Sequence, residues 1–217
     1  MDLITSLPAT WGHHLRVALE LVATLAFALS GVIVAARKRL DAVGVFVVAF
    51  VTAFGGGTLR DLLLDYRPFF WVSDMGFFWA VMAVSLAALV FLRQRHLLPT
   101  ERALLWPDAI GLGLFTGIGV DRALALGQPA LVAVVMGILT SCFGGVLRDV
   151  LCNKTPSALS DHRPYVLWSF LGGWLYVLLH GAGLAPWAAL TATVVFSAGM
   201  RVVSVWRDWR VPGLGRR

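Results

Sequence analysis

The sequence is short of charge. Only 14% of its 217 residues are Asp, Glu, Lys or Arg, where a water-soluble domain carries roughly 25%. Too little polar material remains to cover a globule in water. With 59% apolar residues and a mean hydropathy of +0.80, lipid is the solvent the chain suits. Cysteine is nearly absent. Cys142 and Cys152 cannot build a disulfide framework, no Cys/His cluster has metal-ligand spacing, and both read as small buried apolar side chains. Acid is scarcer than base, 12 residues against 18, for a net charge of +6. The excess forms no nucleic-acid face, because it sits in short clusters between apolar runs, such as Arg37-Lys38-Arg39 and Arg93-Gln94-Arg95. Nucleic acid is therefore excluded as a partner. Enzyme machinery is missing too: no nucleophile stands with a base, and His13, His14, His96, His162 and His180 fall at span ends or in loops. No metal site and no cofactor are expected.

What is present is a series of apolar runs of a length that crosses the hydrocarbon core as helix. Seven spans are expected in one all-α integral membrane domain over 1–217: Leu15–Ala36, Val43–Leu64, Val72–Leu92, Leu105–Leu124, Leu131–Leu151, Tyr165–His180 and Ala185–Val205. Residues 1–14 lack a basic start and a small-residue cleavage site, so the first run is expected to be retained. Lys and Arg favour the inner side of a membrane. With the N-terminus outside, the inner segments hold twelve (Arg37, Lys38, Arg39, Arg93, Arg95, Arg102, Lys154, Arg163, Arg207, Arg210, Arg216, Arg217) and the outer ones three (Arg16, Arg67, Arg122). The expected topology is N-terminus outside, C-terminus cytoplasmic.

The chain repeats itself. Phe54-Gly55-Gly56-Gly57-Thr58-Leu59-Arg60-Asp61 recurs 88 residues later as Cys142-Phe143-Gly144-Gly145-Val146-Leu147-Arg148-Asp149. The register extends well beyond the motif: Phe27 falls on Phe115, Gly31 on Gly119, Thr52 on Thr140, Pro68 on Pro156 and Glu20 on Asp108. Each copy holds three spans, and an odd number inverts the second copy in the membrane. The expected organisation is repeat 1 over 15–97, repeat 2 over 103–184, an extra helix over 185–205 and a basic tail over 206–217.

Three consecutive glycines cost about 1 kcal/mol each in a helix relative to alanine. Close helix packing is one reading of Gly55–Gly57 and of Gly144-Gly145. The favoured expectation is that the second and fifth spans break there and line a pathway, since free backbone in lipid is tolerated only against protein or a water-filled cavity. Each glycine run is followed by Arg-Asp, and a charge inside a membrane costs at least about 2.5–3.5 kcal/mol. Arg60 therefore needs a partner. Glu20 and Arg60 are each 20 residues from the first turn, at Leu40, and Asp108 and Arg148 are each 20 from Gln128. Equal depth favours the pairs Arg60–Glu20 and Arg148–Asp108, with a pairing of Arg60 to Asp149 across the repeats as the alternative. Snorkelling of Arg60 to the headgroups is the competing account.

At these residues the chain resembles the bacterial branch of the trimeric intracellular cation (TRIC) channel family, a group once known as an uncharacterised membrane family with a glycine-transporter suggestion. The resemblance rests on the paired motifs and the 3+3+1 layout, and it covers nearly the whole chain. It implies a homotrimer embedded in lipid, in a bacterial-type inner membrane, with a pore in each subunit conducting monovalent cations. Potassium is the chief ion expected and sodium a lesser one. The pore is expected between the second and fifth spans, along Thr52, Phe54, Gly55, Gly56, Gly57, Arg60 and Asp61, and along Thr140, Ser141, Phe143, Gly144, Gly145, Arg148 and Asp149, with Glu20 and Asp108 as charge partners. The Lys-Glu-Val signature of the animal members is missing, so the resemblance implies nothing about control by inositol lipids or calcium. The runner-up function is a secondary transporter of a small zwitterion such as glycine, since inverted repeats with a cation beside an anion also suit that task.

Overall fold

In lipid the backbone must satisfy its own hydrogen bonds, so long apolar runs become helices. The computed structural model describes residues 9–95, 100–160 and 163–210, with residues 9–13, 92–95 and 101 described in backbone only. The side chains of His13, His96, His162, Arg93, Arg95, Arg216 and Arg217, the repeat boundary near 97, and the tail beyond 210 lie outside the described set. Among the described residues there are seven long helices, α1 (Ala9–Arg37), α2 (Ala42–Leu63), α4 (Met75–Arg95), α5 (Glu101–Ala125), α6 (Ala130–Leu151), α8 (Val166–Gly181) and α9 (Pro186–Trp206), and two single turns, α3 (Phe70–Ser73) and α7 (Ser157–Ser160). The protein is a multi-pass membrane protein: α1, α2, α5, α6 and α9 are long and apolar enough to cross a bilayer, and Met75–Phe91 and Val166–Gly181 are shorter apolar helices.

Caps explain several boundaries. Asp41 Oδ1 accepts from Gly44 N at 2.7 Å to start α2, and Thr100 Oγ1 accepts from Ala103 N at 3.2 Å to start α5. Val72 was expected to open the third span but lies in α3. The chain leaves that turn at Asp74, whose Oδ1 takes the N–H of Gly76 at 2.8 Å, and α4 begins only there. Threonine hydroxyls inside the bundle bond back one turn, Thr52 to Val48 O and Thr140 to Met136 O, both at 2.6 Å.

The glycines set how closely the helices approach. Within the first hairpin, a Cβ on Gly31 would lie 2.7 Å from Ala49 Cα and 2.9 Å from Thr52 Oγ1. In the second hairpin, a Cβ on Gly119 would lie 2.8 Å from Gly137 Cα and 2.7 Å from Thr140 Oγ1. Between hairpins, a Cβ on Gly56 would overlap the carbonyl oxygen of Thr140, and one on Gly144 would overlap that of Thr52. Since 56 faces 140 and 52 faces 144, α2 and α6 cross antiparallel. The seventh long helix, α9, lies on α5 and α8. It fits there because Gly113 admits the backbone of Val194 and Gly172 the hydroxyl of Ser197.

This packing corrects one expectation. Neither α2 nor α6 is broken at its glycines: helix runs unbroken through Gly55–Gly57 and through Gly144-Gly145. The crossing supplies the physical reason. Gly56 and Gly144 lie backbone against backbone, so the contact favours regular helix at these residues over the unwound chain their propensity suggests.

Candidate functional site

The α2–α6 crossing carries charge at both ends. Arg60 and Arg148 each lie six residues beyond its midpoint in opposite directions, about 9 Å at 1.5 Å per residue. Both are buried, with 0% and 2% of their surface exposed. Burial to this degree removes snorkelling as an account of Arg60.

At the first end, Arg60 Nη2 lies 3.2 Å from Glu20 Oε1 on α1, and Arg60 Nε donates to Asp61 Oδ1 at 2.8 Å. Adjacent residues on a helix point about 100° apart, which would carry Asp61 away from Arg60. Instead the guanidinium folds back to it, because the other oxygen of Asp61 is fixed by the backbone N–H of Phe70 at 2.9 Å. Arg122 on α5 completes the group, 3.7 Å from Glu20 Oε2 and 3.6 Å from Asp61 Oδ1, with its guanidinium 4.6 Å from the Tyr66 ring. Two acids and two arginines thus balance. Nearby, Arg16 meets Asp121 Oδ2 at 2.7 Å, and Asp121 Oδ1 accepts from Tyr176 at 2.6 Å.

The second end repeats the plan. Arg148 Nη1 bonds Asp108 Oδ1 at 2.9 Å and also the hydroxyl of Ser30, while Arg148 Nε donates to Asp149 Oδ1 at 2.9 Å. Asp149 Oδ2 accepts from the N–H and the hydroxyl of Ser157, each at 2.8 Å. Here the pair opens to a cavity of about 850 Å³, lined by Asp108, Arg148, Lys154, Ser157, Ser160 and Arg201 among others. Arg60 and Asp149 sit at opposite ends, so the cross-repeat pairing does not form.

The remaining candidates lie between the two ends. Phe54 belongs to an aromatic and apolar cluster with Phe70, Phe77 and Val81, and Phe50 and Trp71 pack against it. A Cβ on Gly55 would come within 2.7 Å of Leu147 Cδ1, and one on Gly57 would overlap the Phe70 ring. Gly145, the counterpart of Gly57, meets only Arg148 Nη2 at 3.7 Å, Tyr165 Oη at 3.8 Å and Arg148 Cζ at 4.0 Å. Ser141 joins a hydroxyl chain, 2.8 Å from Ser169, which is itself 2.8 Å from Thr116. Phe143 is half-buried.

Several participants escaped sequence reading. Arg122 counted as an outer-loop charge, and Asp121 beside it drew no attention. Ser30, Tyr66, Phe70 and Ser157 carry no motif. Only the Pro68/Pro156 match pointed toward the two short turns.

One family model, described as a glycine transporter, matches the chain twice, over residues 17–94 and 105–181. A membrane protein of Vibrio cholerae, named only as UPF0126, is 35% identical over 86% of this chain and 77% of its own. The UPF0126 inner membrane protein YadS of Escherichia coli is 44% identical over 65% of this chain and 68% of its own. Among solved structures, the TRIC trimeric intracellular cation channel orthologue from Rhodobacter sphaeroides superposes with a TM-score of 0.82 at 34% identity, covering 89% of this chain and 98% of that one. This chain belongs to the TRIC family, in its bacterial branch. The TRIC fold of the Rhodobacter protein thus accounts for 89% of the chain. In TRIC terms, the paired Gly-Gly-x-x-Arg-Asp motifs are one crossing seen from its two ends. The double match, beginning at 17 and again at 105, spaces its copies as the motifs are spaced.

Proposed function

We propose that this chain is a monovalent cation channel, chiefly for potassium, with a pathway inside each subunit along the α2–α6 crossing. The observation that carries the reading is the crossing itself: a glycine-lined antiparallel contact with a buried acid–arginine cluster at each end, in a chain that superposes on a cation channel orthologue. Arginines beside a pathway repel cations, and here Glu20 and Asp61 offset Arg60 while Asp108 and Asp149 offset Arg148. In the conformation described, backbone meets backbone at Gly56 and Gly144 and the seam is shut. Conduction then requires α2 and α6 to separate there, and glycine lets each helix unwind at little steric cost.

The chain is read as an inverted duplication, repeat 1 over 15–97 and repeat 2 over 103–184, which supplies a similar half-pathway from each side. In support, both hairpins make the same glycine–threonine approach, 88 residues apart. A homotrimer is part of the proposal, supported by the word trimeric in the name of the Rhodobacter relative. Residence in an inner membrane follows the Escherichia coli relative, and the loop charges favour N-terminus outside and C-terminus inside.

Transport of glycine is the second reading. The family description favours it, as does the pairing of a carboxylate with a guanidinium at each end, which matches the two charges of a zwitterion. Reconstituted protein assayed in parallel for potassium efflux and for saturable glycine uptake separates the two. Efflux without uptake is expected; saturable uptake without efflux selects the transporter.

A further inference from the structure

We propose that Phe70 is the stopper of the cation pathway at the Arg60 end, held in place by the Asp61 carboxylate. The proposal rests on the pathway proposed above and deepens it, since it names the side chain that keeps one end closed.

The two ends share one plan, an arginine held by two acids with a short turn bonded to the second acid, and they differ in the residue that opens that turn. After α2, the first N–H of the short turn α3, that of Phe70, bonds Asp61 Oδ2 at 2.9 Å. After α6, the first N–H of α7, that of Ser157, bonds Asp149 Oδ2 at 2.8 Å. Phe70 and Ser157 are therefore structural counterparts, with one residue fewer in the second loop, and the family match is likewise one residue shorter in its second copy. At the Ser157 end the glycine of α6, Gly145, has room beside it, and Arg148 and Asp108 line the cavity of about 850 Å³. At the Phe70 end the corresponding glycine, Gly57, is covered by the Phe70 ring. That ring is 3% exposed, its centroid is 5.5 Å from the Arg60 guanidinium carbon, and it packs against Phe54 and Phe77 at 5.9 and 5.5 Å.

A second observation shows what the ring keeps out. Arg60 Nη1 is buried with no hydrogen-bond acceptor among the described residues. A buried guanidinium N–H left this way is costly, and water satisfies it once admitted. Apolar constrictions close pathways by dewetting. Phe70 also sits on a short piece: α3 is one turn long, bonded to α2 through Phe70–Asp61 and through Trp71 Nε1 donating to Thr58 Oγ1 at 3.0 Å. Swinging α3 away uncovers Gly57 and opens Arg60 to a cavity, as Arg148 already borders one at the other end.

The mirror substitutions test this in liposomes carrying the full chain, with potassium efflux as the readout and oligomer size and melting as controls. Phe70→Ser is expected to raise efflux severalfold, Ser157→Phe to lower it severalfold, and Phe70→Leu, which keeps an apolar plug, to stay near the parent. A correctly assembled Phe70→Ser protein that conducts like the parent overturns the stopper. If Phe70→Ser does not assemble, Ser157→Phe decides: a block supports the proposal and unchanged efflux overturns it. Gly145→Trp separates the proposal from its basis. Efflux lost in Gly145→Trp but unchanged in Phe70→Ser leaves the pathway standing and removes the stopper. Efflux unchanged in both, or absent from every variant and the parent, overturns the two together.

Discussion

Replacing Gly56 by alanine places a methyl group on the carbonyl oxygen of Thr140, and that oxygen belongs to backbone. No side-chain rotation relieves the overlap, so α2 and α6 must move apart by on the order of 1 Å to regain van der Waals contact. Overpacking of this kind costs roughly 1–3 kcal/mol, against which alanine recovers about 1 kcal/mol of helix propensity. A net loss of up to about 2 kcal/mol is expected for Gly56→Ala and the same for Gly144→Ala, whose methyl meets Thr52 O. The two substitutions widen one crossing, so together they cost less than their sum. Gly145→Ala is the control: its methyl has only ordinary neighbours, 3.7 Å away or more, and the propensity gain of about 1 kcal/mol is left uncancelled. Thermal melting of the purified protein in detergent, followed by its oligomer peak, reads all four. Destabilisation by Gly145→Ala equal to that of Gly56→Ala would refute the contact geometry.

Other predictions follow from the charges. Arg60→Ala leaves Glu20 and Asp61 with the more distant Arg122 as their nearest described cation, so it should cost about 3 kcal/mol, the low end for a broken buried pair. Glu20→Ala on that background should restore part of the loss in a double-mutant cycle on melting, and strict additivity would mean the pair does not couple. Cysteines placed at Arg39 and Gly127, in the α1–α2 and α5–α6 turns, should react with an impermeant thiol reagent from opposite faces. Labelling of both from one face would remove the antiparallel seven-helix topology. Outside the spans, hydrogen bonds from Arg210 and then Arg163 hold the Asp208 carboxyl below its ordinary value of 3.8. A carboxyl depressed in the folded state stabilises above its unfolded value and loses that contribution as pH falls through the folded one. The contacts among Asp208, Arg163 and Arg210 should therefore persist at pH 4 and loosen below, and because the group is exposed Asp208→Asn should barely move the melting point. A large shift would show that these contacts bear more than surface charge.

Helix type and placement were legible because lipid leaves the backbone few options, and each of the seven expected spans falls on a long observed helix with ends moved by at most six residues, except that the third opens inside α3. The exception, the start of the third span, turned on a local cap: the Asp74 side chain on Gly76 N has no hydrophobic signature. The pairing of Arg60 with Glu20 was visible as equal depth in a hairpin, a property of counting alone. The behaviour of Gly55–Gly57 was not, because intrinsic propensity favours a break and only the partner helix, supplied by residues 88 positions away, favours packing. Phe70 and Ser157 stayed hidden for a similar reason. Their role comes from a carboxylate on the preceding helix, and a one-residue difference between the loops shifts them out of the sequence register.

The claim that ions pass along the α2–α6 crossing is tested most directly by a cysteine at Gly145, where a Cβ fits in ordinary contact with Arg148, which lines the cavity. In a planar bilayer under a potassium gradient, Gly145→Cys should carry a cation-selective current. A positively charged methanethiosulfonate applied from the cavity side should then reduce that current irreversibly, with the cysteine-free parent unaffected. A current that persists at full size after mass spectrometry shows the thiol fully modified would place the pathway elsewhere.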